Sequence, residues 1–152
     1  MTIDSYNKAF ILQSDCMAGL FADVLQRYRH EQKMLVHEFV VMPNHVHALL
    51  TTCETVEFAV KRIKGCFSTR AIKEFHFKQK IWQPSFYERR VRDSNAYSAF
   101  RTYIRDNPVR ARLVDEPEKW GFGSASGHFE MDPAPTCFSR PEVSIPRGRS
   151  GM

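Results

Sequence analysis

The sequence predicts an α+β domain: a small antiparallel sheet with helices packed mainly on one face. Three observations carry that expectation. Leu35 to Met42 and His45 to Thr51 form an apolar hairpin broken only by Pro43-Asn44. Before it, Met17, Leu20, Phe21, Val24, Leu25 and Tyr28 recur at helical spacing. After it, Val56, Ala59, Val60, Ile63 and Phe67 do the same.

Taken in order, Met1 to Gln13 is weakly patterned, and Phe10-Ile11-Leu12 reads as the end of a strand. Ser14-Asp15 has the chemistry of an N-cap for a first helix that runs to about Gln32. Thr51-Thr52-Cys53-Glu54 matches a capping box for the second helix, which Gly65 is expected to bend. Ile81 to Tyr87 reads as irregular around Pro84, and Glu88 to Arg92 as an edge strand. Asp93 or Ser94 caps a third helix with Tyr97, Phe100 and Ile104 on its core face. Tyr103 sits one residue off that stripe, and Pro108 is expected to end or interrupt the helix. The expected domain covers residues 1–124. The Gly-, Ser- and Pro-rich segment 125–152 is expected to be a disordered tail.

With 152 residues, 43% hydrophobic and 26% charged, the chain has the composition of a soluble single domain. No apolar run approaches the roughly twenty residues of a membrane span, and no secretory leader is evident, so a cytoplasmic location is expected. The cysteines at 16, 53, 66 and 137 lack metal-site or disulfide-framework spacing. The net charge of +5 is unevenly placed: Lys61 to Arg112 holds fourteen Lys or Arg against four Asp or Glu. Such a block suits a polyanion, with a solvated surface as the plainer alternative.

Within the hairpin, His45-Val46-His47 opens the second strand. Side chains alternate along a strand, so both imidazoles share one face and come within reach of one divalent cation. A lone histidine there would be a satisfied structural residue. Two on one face of an aliphatic strand are harder to explain that way.

Met42-Pro43-Asn44-His45-Val46-His47, Trp82-Gln83-Pro84 with Phe86-Tyr87-Glu88, and Tyr103-Ile104-Arg105-Asp106-Asn107-Pro108-Val109 together resemble the IS200-like single-tyrosine transposases (Y1, HUH endonucleases). Within that family the REP-associated tyrosine transposase branch is the nearest in pattern. The resemblance implies a ferredoxin-like sheet. It makes His45 and His47 ligands of Mg²⁺ or Mn²⁺, Asn107 a third ligand, and Tyr103 the nucleophile. Residues i and i+4 of a helix project side by side, so one helix can present both the phenol and the amide.

The implied activity is metal-dependent nicking and rejoining of single-stranded or hairpin DNA through a 5′-phosphotyrosine, in a monomer or homodimer. A catalytically impaired hairpin-binding protein is the alternative, and a hydrolase using water in place of tyrosine is a further rival. Lys61, Arg62, Lys64, Arg89, Arg90 and Arg105 are the candidate DNA contacts, interleaved with Trp82, Phe86 and Tyr87 as stacking surfaces. Family members open with a strand beside the one carrying the histidines. Only Met1 to Leu12 precedes the first helix here, so that strand is expected to be missing or curtailed. Its loss would deprive the histidine strand of a ladder partner and put cleavage in question.

Overall fold

Two long apolar strands form the centre of the computed structural model, which describes residues 1–138 and the backbone of 142–145. β2 (Met34–Met42) and β3 (His45–Thr52) pair antiparallel across the Pro43-Asn44 turn, with Met42 opposite His45 and Met34 opposite Thr52. The other edge of β3 is shared by two short strands. β1 (Thr2–Asp4) pairs with His45–His47, and β5 (Glu142–Ile145) pairs with Leu50–Thr52. Beyond β5 lies β4 (Arg89–Arg90), and single bridges from Thr2 to Tyr87 and from Ser5 to Trp82 extend that edge.

Strand alternation sorts the residues between two faces. Ile3, Val41, Val46, Ala48 and Leu50 point toward α1 (Asp15–His30) and α2 (Val56–Phe75). Val40, Met42 and Leu49 point the other way, toward Tyr97 and Ile104 of α3 (Ser94–Arg110). Two helices therefore cover one face and a single helix covers the other. A bulge in β2 between Val36 and Glu38 breaks the period of two. The bulge lets His37 and Glu38 both engage the α3 side, where His37 meets Tyr97 and Glu38 meets Arg101 and Arg105.

Several expectations change. The first strand is present: it is three residues long, and Ile3 within it is completely buried. Phe10-Ile11-Leu12 is instead part of a turn that drops Leu12 into the core and leaves Phe10 exposed. The second helix is capped by Thr55, which accepts from the Phe58 N–H at 3.2 Å. Thr51 and Thr52 belong to β3, because pairing of both strand edges continues through Thr52. Gly65 lies inside the continuous run of α2.

Pro108 does not stop α3, which ends at Arg110 and closes with Arg112 in the left-handed region at φ 61°. Proline forfeits one helical hydrogen bond, but Ile104, Asn107 and Pro108 are all buried here. Trp82, expected at a stacking surface, is 7% exposed and packs edge-on against Phe21 and Phe67. Phe86 also leans on this core.

The segment after 124 is not a free tail as far as it is described. Arg29 pairs with Glu130 and Asp132, the Asp132 N–H donates to Val36, and His37 bonds the Pro133 carbonyl. Residues 142–145 add a strand to the sheet. The remainder of the expected tail, 139–141 and 146–152, lies outside the described residues.

Because Ile3 is sealed in the main core, Ile3→Ala should cost about 2–5 kcal/mol. Urea denaturation checks this, and an unchanged midpoint would mean that β1 is not docked on β3.

Candidate active site

The histidine strand delivers what its alternation promised. His45 and His47 stand on the α3 face of β3, with ring centroids 4.6 Å apart. β1 runs beside them with Asp4 opposite His45 and Thr2 opposite His47. Each imidazole is oriented by a neighbour. His45 Nδ1 lies 2.6 Å from Asn44 Oδ1, and His47 Nδ1 lies 2.9 Å from Thr2 Oγ1. The Asn44 oxygen can only accept, so His45 carries its proton on Nδ1 and keeps a lone pair on Nε2. Fixing one ring nitrogen so that the other can bind a metal is the usual role of such outer partners.

Electrostatics keep both rings neutral. Burial holds His47 well below the ordinary histidine range, reinforced by the charges of the amino terminus and Arg110 and by any positive charge taken up on His45. Burial also lowers His45, against the opposing pull of Asp4 and of its hydrogen bond to Asn107. Neutral imidazoles are the form that a cation needs.

α3 brings the other two residues. Asp93 caps it by accepting the Ala96 N–H at 2.7 Å. Tyr103 presents its ring edge-on to His47, centroids 5.4 Å apart, while Asn107, one turn on, is buried next to His45. His45, His47, Tyr103 and Asn107 thus meet in one place, as their spacing suggested. The donor set of two neutral imidazoles and an amide fits a divalent cation that completes its shell with oxygen ligands. Among the described residues no three His, Cys, Asp or Glu side chains cluster as a metal site, so the amide is essential to this reading.

Two tyrosines on one helix are treated differently. Tyr97 is 6% exposed and its phenol is pushed up to about 12, mainly by burial and then by Glu38. Tyr103 is half-buried beside the imidazoles.

The basic residues divide as well. Lys61, Arg62 and Lys64 lie on α2, which packs on the opposite face of the sheet from Tyr103. Arg62 pairs with Glu54 at 2.9 Å, and Lys64 donates to the carbonyls of Gln83 and Ser85. Lys61 is exposed. Arg105 is paired with buried Glu38 at 2.8 Å. Arg89 and Arg90 are exposed on β4, and Arg89 stacks over Phe100 of α3 at 5.2 Å. Thr2, Asn44 and Arg110 escaped the sequence reading. Only Asn44, adjacent to His45, carried a local signal.

A model of the family described as "Transposase IS200 like" matches residues 3–107, which span both histidines, Tyr103 and Asn107. The chain belongs to this family. The curated relatives it matches are similar at low identity. It is 26% identical to the REP-associated tyrosine transposase of Escherichia coli K12 over 114 residues, 70% of this chain and 66% of that one. It is 26% identical to an uncharacterized protein of Haemophilus influenzae over 98 residues, 49% of this chain and 54% of the relative. The chain therefore spans between about half and two thirds of the length of these two relatives. A solved structure of the REP-associated tyrosine transposase bound to a REP hairpin superposes with a TM-score of 0.66 at 22% identity, covering 92% of this chain and 89% of that one. This superposition shows that the fold is shared. Among the described residues, no helix is long and apolar enough to cross a membrane.

The buried imidazoles also set a pH dependence. The folded values of His37, His45 and His47 lie below the ordinary value of about 6.5, so the unfolded chain binds more protons below that pH. Stability is therefore full above about pH 6.5 and falls as the pH drops toward the folded values. Urea midpoints between pH 7 and 5 should decline, and less steeply in His47→Asn. Equal midpoints at both pH values would show that these rings take up protons in the folded state.

Proposed function

We propose that the chain nicks and rejoins single-stranded or hairpin DNA through a covalent 5′-phosphotyrosine on Tyr103. Mg²⁺ or Mn²⁺ would be held by His45, His47 and Asn107. The observation that carries this reading is the phenol of Tyr103 resting against neutral His47, with Asn107 one helical turn away beside His45. The solved relative bound to a REP hairpin supports hairpin DNA as the substrate class. A DNA substrate also agrees with the cytoplasmic location expected from the sequence.

The phosphodiester resists attack because its oxygens are anionic. A bound divalent cation supplies charge neutralisation at a non-bridging oxygen and at the departing oxygen. The chain's own residues do the rest. Tyr103 attacks phosphorus once its phenol proton is lost: the Oη–P bond forms, the P–O3′ bond breaks, and the 3′-oxygen leaves and takes up a proton. Rejoining reverses these steps with an incoming 3′-hydroxyl, so no nucleotide cofactor is consumed. His47, fixed by Thr2, and His45, fixed by Asn44, hold their donor atoms in place. Arg89 and Arg90, on exposed β4, would meet the phosphates of the bound strand.

Tyr103→Phe separates this reading from its rivals, because it removes only the nucleophilic oxygen. Cutting and the covalent adduct should vanish together on a denaturing gel, at a stability cost of no more than about 1 kcal/mol. A water-using hydrolase would keep cutting in this variant, and a binding-only protein would cut in neither form. An adduct that persists and maps to Tyr97 would refute the assignment, and burial of that phenol argues against it.

His45→Ala should abolish cleavage and weaken Mn²⁺ binding in calorimetry. DNA affinity should stay near that of the parent chain, because it rests mainly on phosphate contacts. Unchanged Mn²⁺ affinity would remove His45 from the ligand set.

A further inference from the structure

The arginines of α3 differ in what they face. Arg101 and Arg105 are paired with Glu38 at 3.2 and 2.8 Å. Elsewhere Arg29, Arg62 and Arg70 are likewise matched with carboxylates. Arg110 is exposed, and among the described residues it joins no ion pair. Its guanidinium instead lies over the Tyr103 ring, 4.2 Å from the centroid, and one N–H reaches the Tyr103 carbonyl at 3.3 Å. A guanidinium has five donors, so most remain available. The His47 ring also lies against Tyr103, with centroids 5.4 Å apart. The Tyr103 ring thus contacts both an imidazole and a permanent cation.

An exposed arginine held over a tyrosine has a structural explanation, since a cation over an aromatic face is worth about 0.5–1 kcal/mol at the surface. That explanation does not account for the place. Pro108 and the left-handed Arg112 fix the end of α3, so Arg110 sits in the last turn with its backbone set and its charge turned back over residue 103. A planar, bidentate donor is the group suited to a phosphate, and here it lies within one ring's width of the phenol.

We propose that Arg110 grips the phosphate attacked by Tyr103, as a substrate-contacting residue of the site that none of the sequence motifs contained. The inference rests on the strand-transfer reading above, since it places the scissile phosphate beside Tyr103. The guanidinium would balance the anionic phosphate both before attack and in the phosphotyrosine. Arg110 lies outside residues 3–107 that match the family model, so the match says nothing about it.

The test uses the full chain and a hairpin oligonucleotide with single-stranded flanks, selected from a random pool for tight binding to it. The wild type with Mn²⁺ identifies the cut bond by its covalent adduct. Binding is then measured in EDTA for wild type, Arg110→Gln and Arg110→Lys, with one neutral methylphosphonate walked along the strand. Arg110→Gln should bind the unmodified strand at least about tenfold more weakly, the expected loss for hydrogen bonds to a charged group. Its salt slope should fall by about 0.7, one single-strand phosphate contact. At the scissile position, and only there, neutralising the phosphate should add no further loss to Arg110→Gln. Arg110→Lys should recover part of the affinity.

Additive losses at every position would overturn the assignment. So would coupling at a phosphate other than the scissile one. Unchanged binding and slope with a lowered urea midpoint would leave Arg110 a purely structural stack, and would overturn it as well. If the wild type forms no adduct, the strand-transfer reading fails on its own. Coupling at a single phosphate then still upholds the grip of Arg110 on DNA, and its absence removes it.

Discussion

A buried carboxylate holds the helix that carries the nucleophile. Glu38 is 3% exposed and receives Arg101, Arg105 and the hydroxyl of Ser124. A carboxylate in an apolar layer is tolerated only when its lone pairs are engaged. Both arginines lie on α3, flanking Tyr103 in sequence, so the cluster fixes that helix in rotation as well as in position. Ser124 links in the segment after α3 by also accepting the Phe39 N–H. The β2 bulge that turns Glu38 and His37 to this side is what makes the anchor possible. The exposed end of α3 is then free to carry chemistry, because its middle is already tied down.

Given that anchor, environment decides which groups can react. Tyr97 and Tyr103 are chemically identical and lie six positions apart on one helix. Tyr97 is buried in contact with His37 and Phe138, where burial penalises the phenolate. Tyr103 contacts His47 and Arg110 with part of its surface open. The same contrast separates the histidines. His37 has both ring nitrogens engaged, by Pro133 and Thr51, and has nothing left to offer a ligand. His45 and His47 each have only Nδ1 committed to an orienting neighbour, Asn44 and Thr2.

How much of this was legible depended on the range of the forces involved. Alternation in β2 and β3, the Pro-Asn turn, and the caps Ser14 and Asp93 are local, and they read directly from the chain. His45, His47, Tyr103 and Asn107 were legible as a motif, and the sheet and α3 bring them together. What escaped depends on contacts distant in sequence. A three-residue strand is too short to show a period, and β1 exists because β3 offers it an edge. Helix α3 passes Pro108 because burial of Ile104 and Asn107 outweighs one lost hydrogen bond. Arg105 looked like a DNA contact because its partner, Glu38, lies 67 residues earlier. Residues 130–133 looked featureless, yet their polar groups find Arg29, Val36 and His37.

The shortest strand joins the fold to the site most directly. Alternation in β1 sends Ile3 into the core beneath α1 and α2, and sends Thr2 and Asp4 to the face where the histidines stand. Thr2 holds His47 by Nδ1, and the charge of Asp4 acts on His45. Ladder bonds between Met1 and Ala48 and between Thr2 and Tyr87 lock the strand between β3 and the 82–90 segment. A register slip of one residue would exchange the two faces, exposing Ile3 and withdrawing the hydroxyl from His47. Burial of one isoleucine therefore also specifies the orientation of an imidazole. Site geometry and core stability are set by the same three residues, so neither can drift without the other.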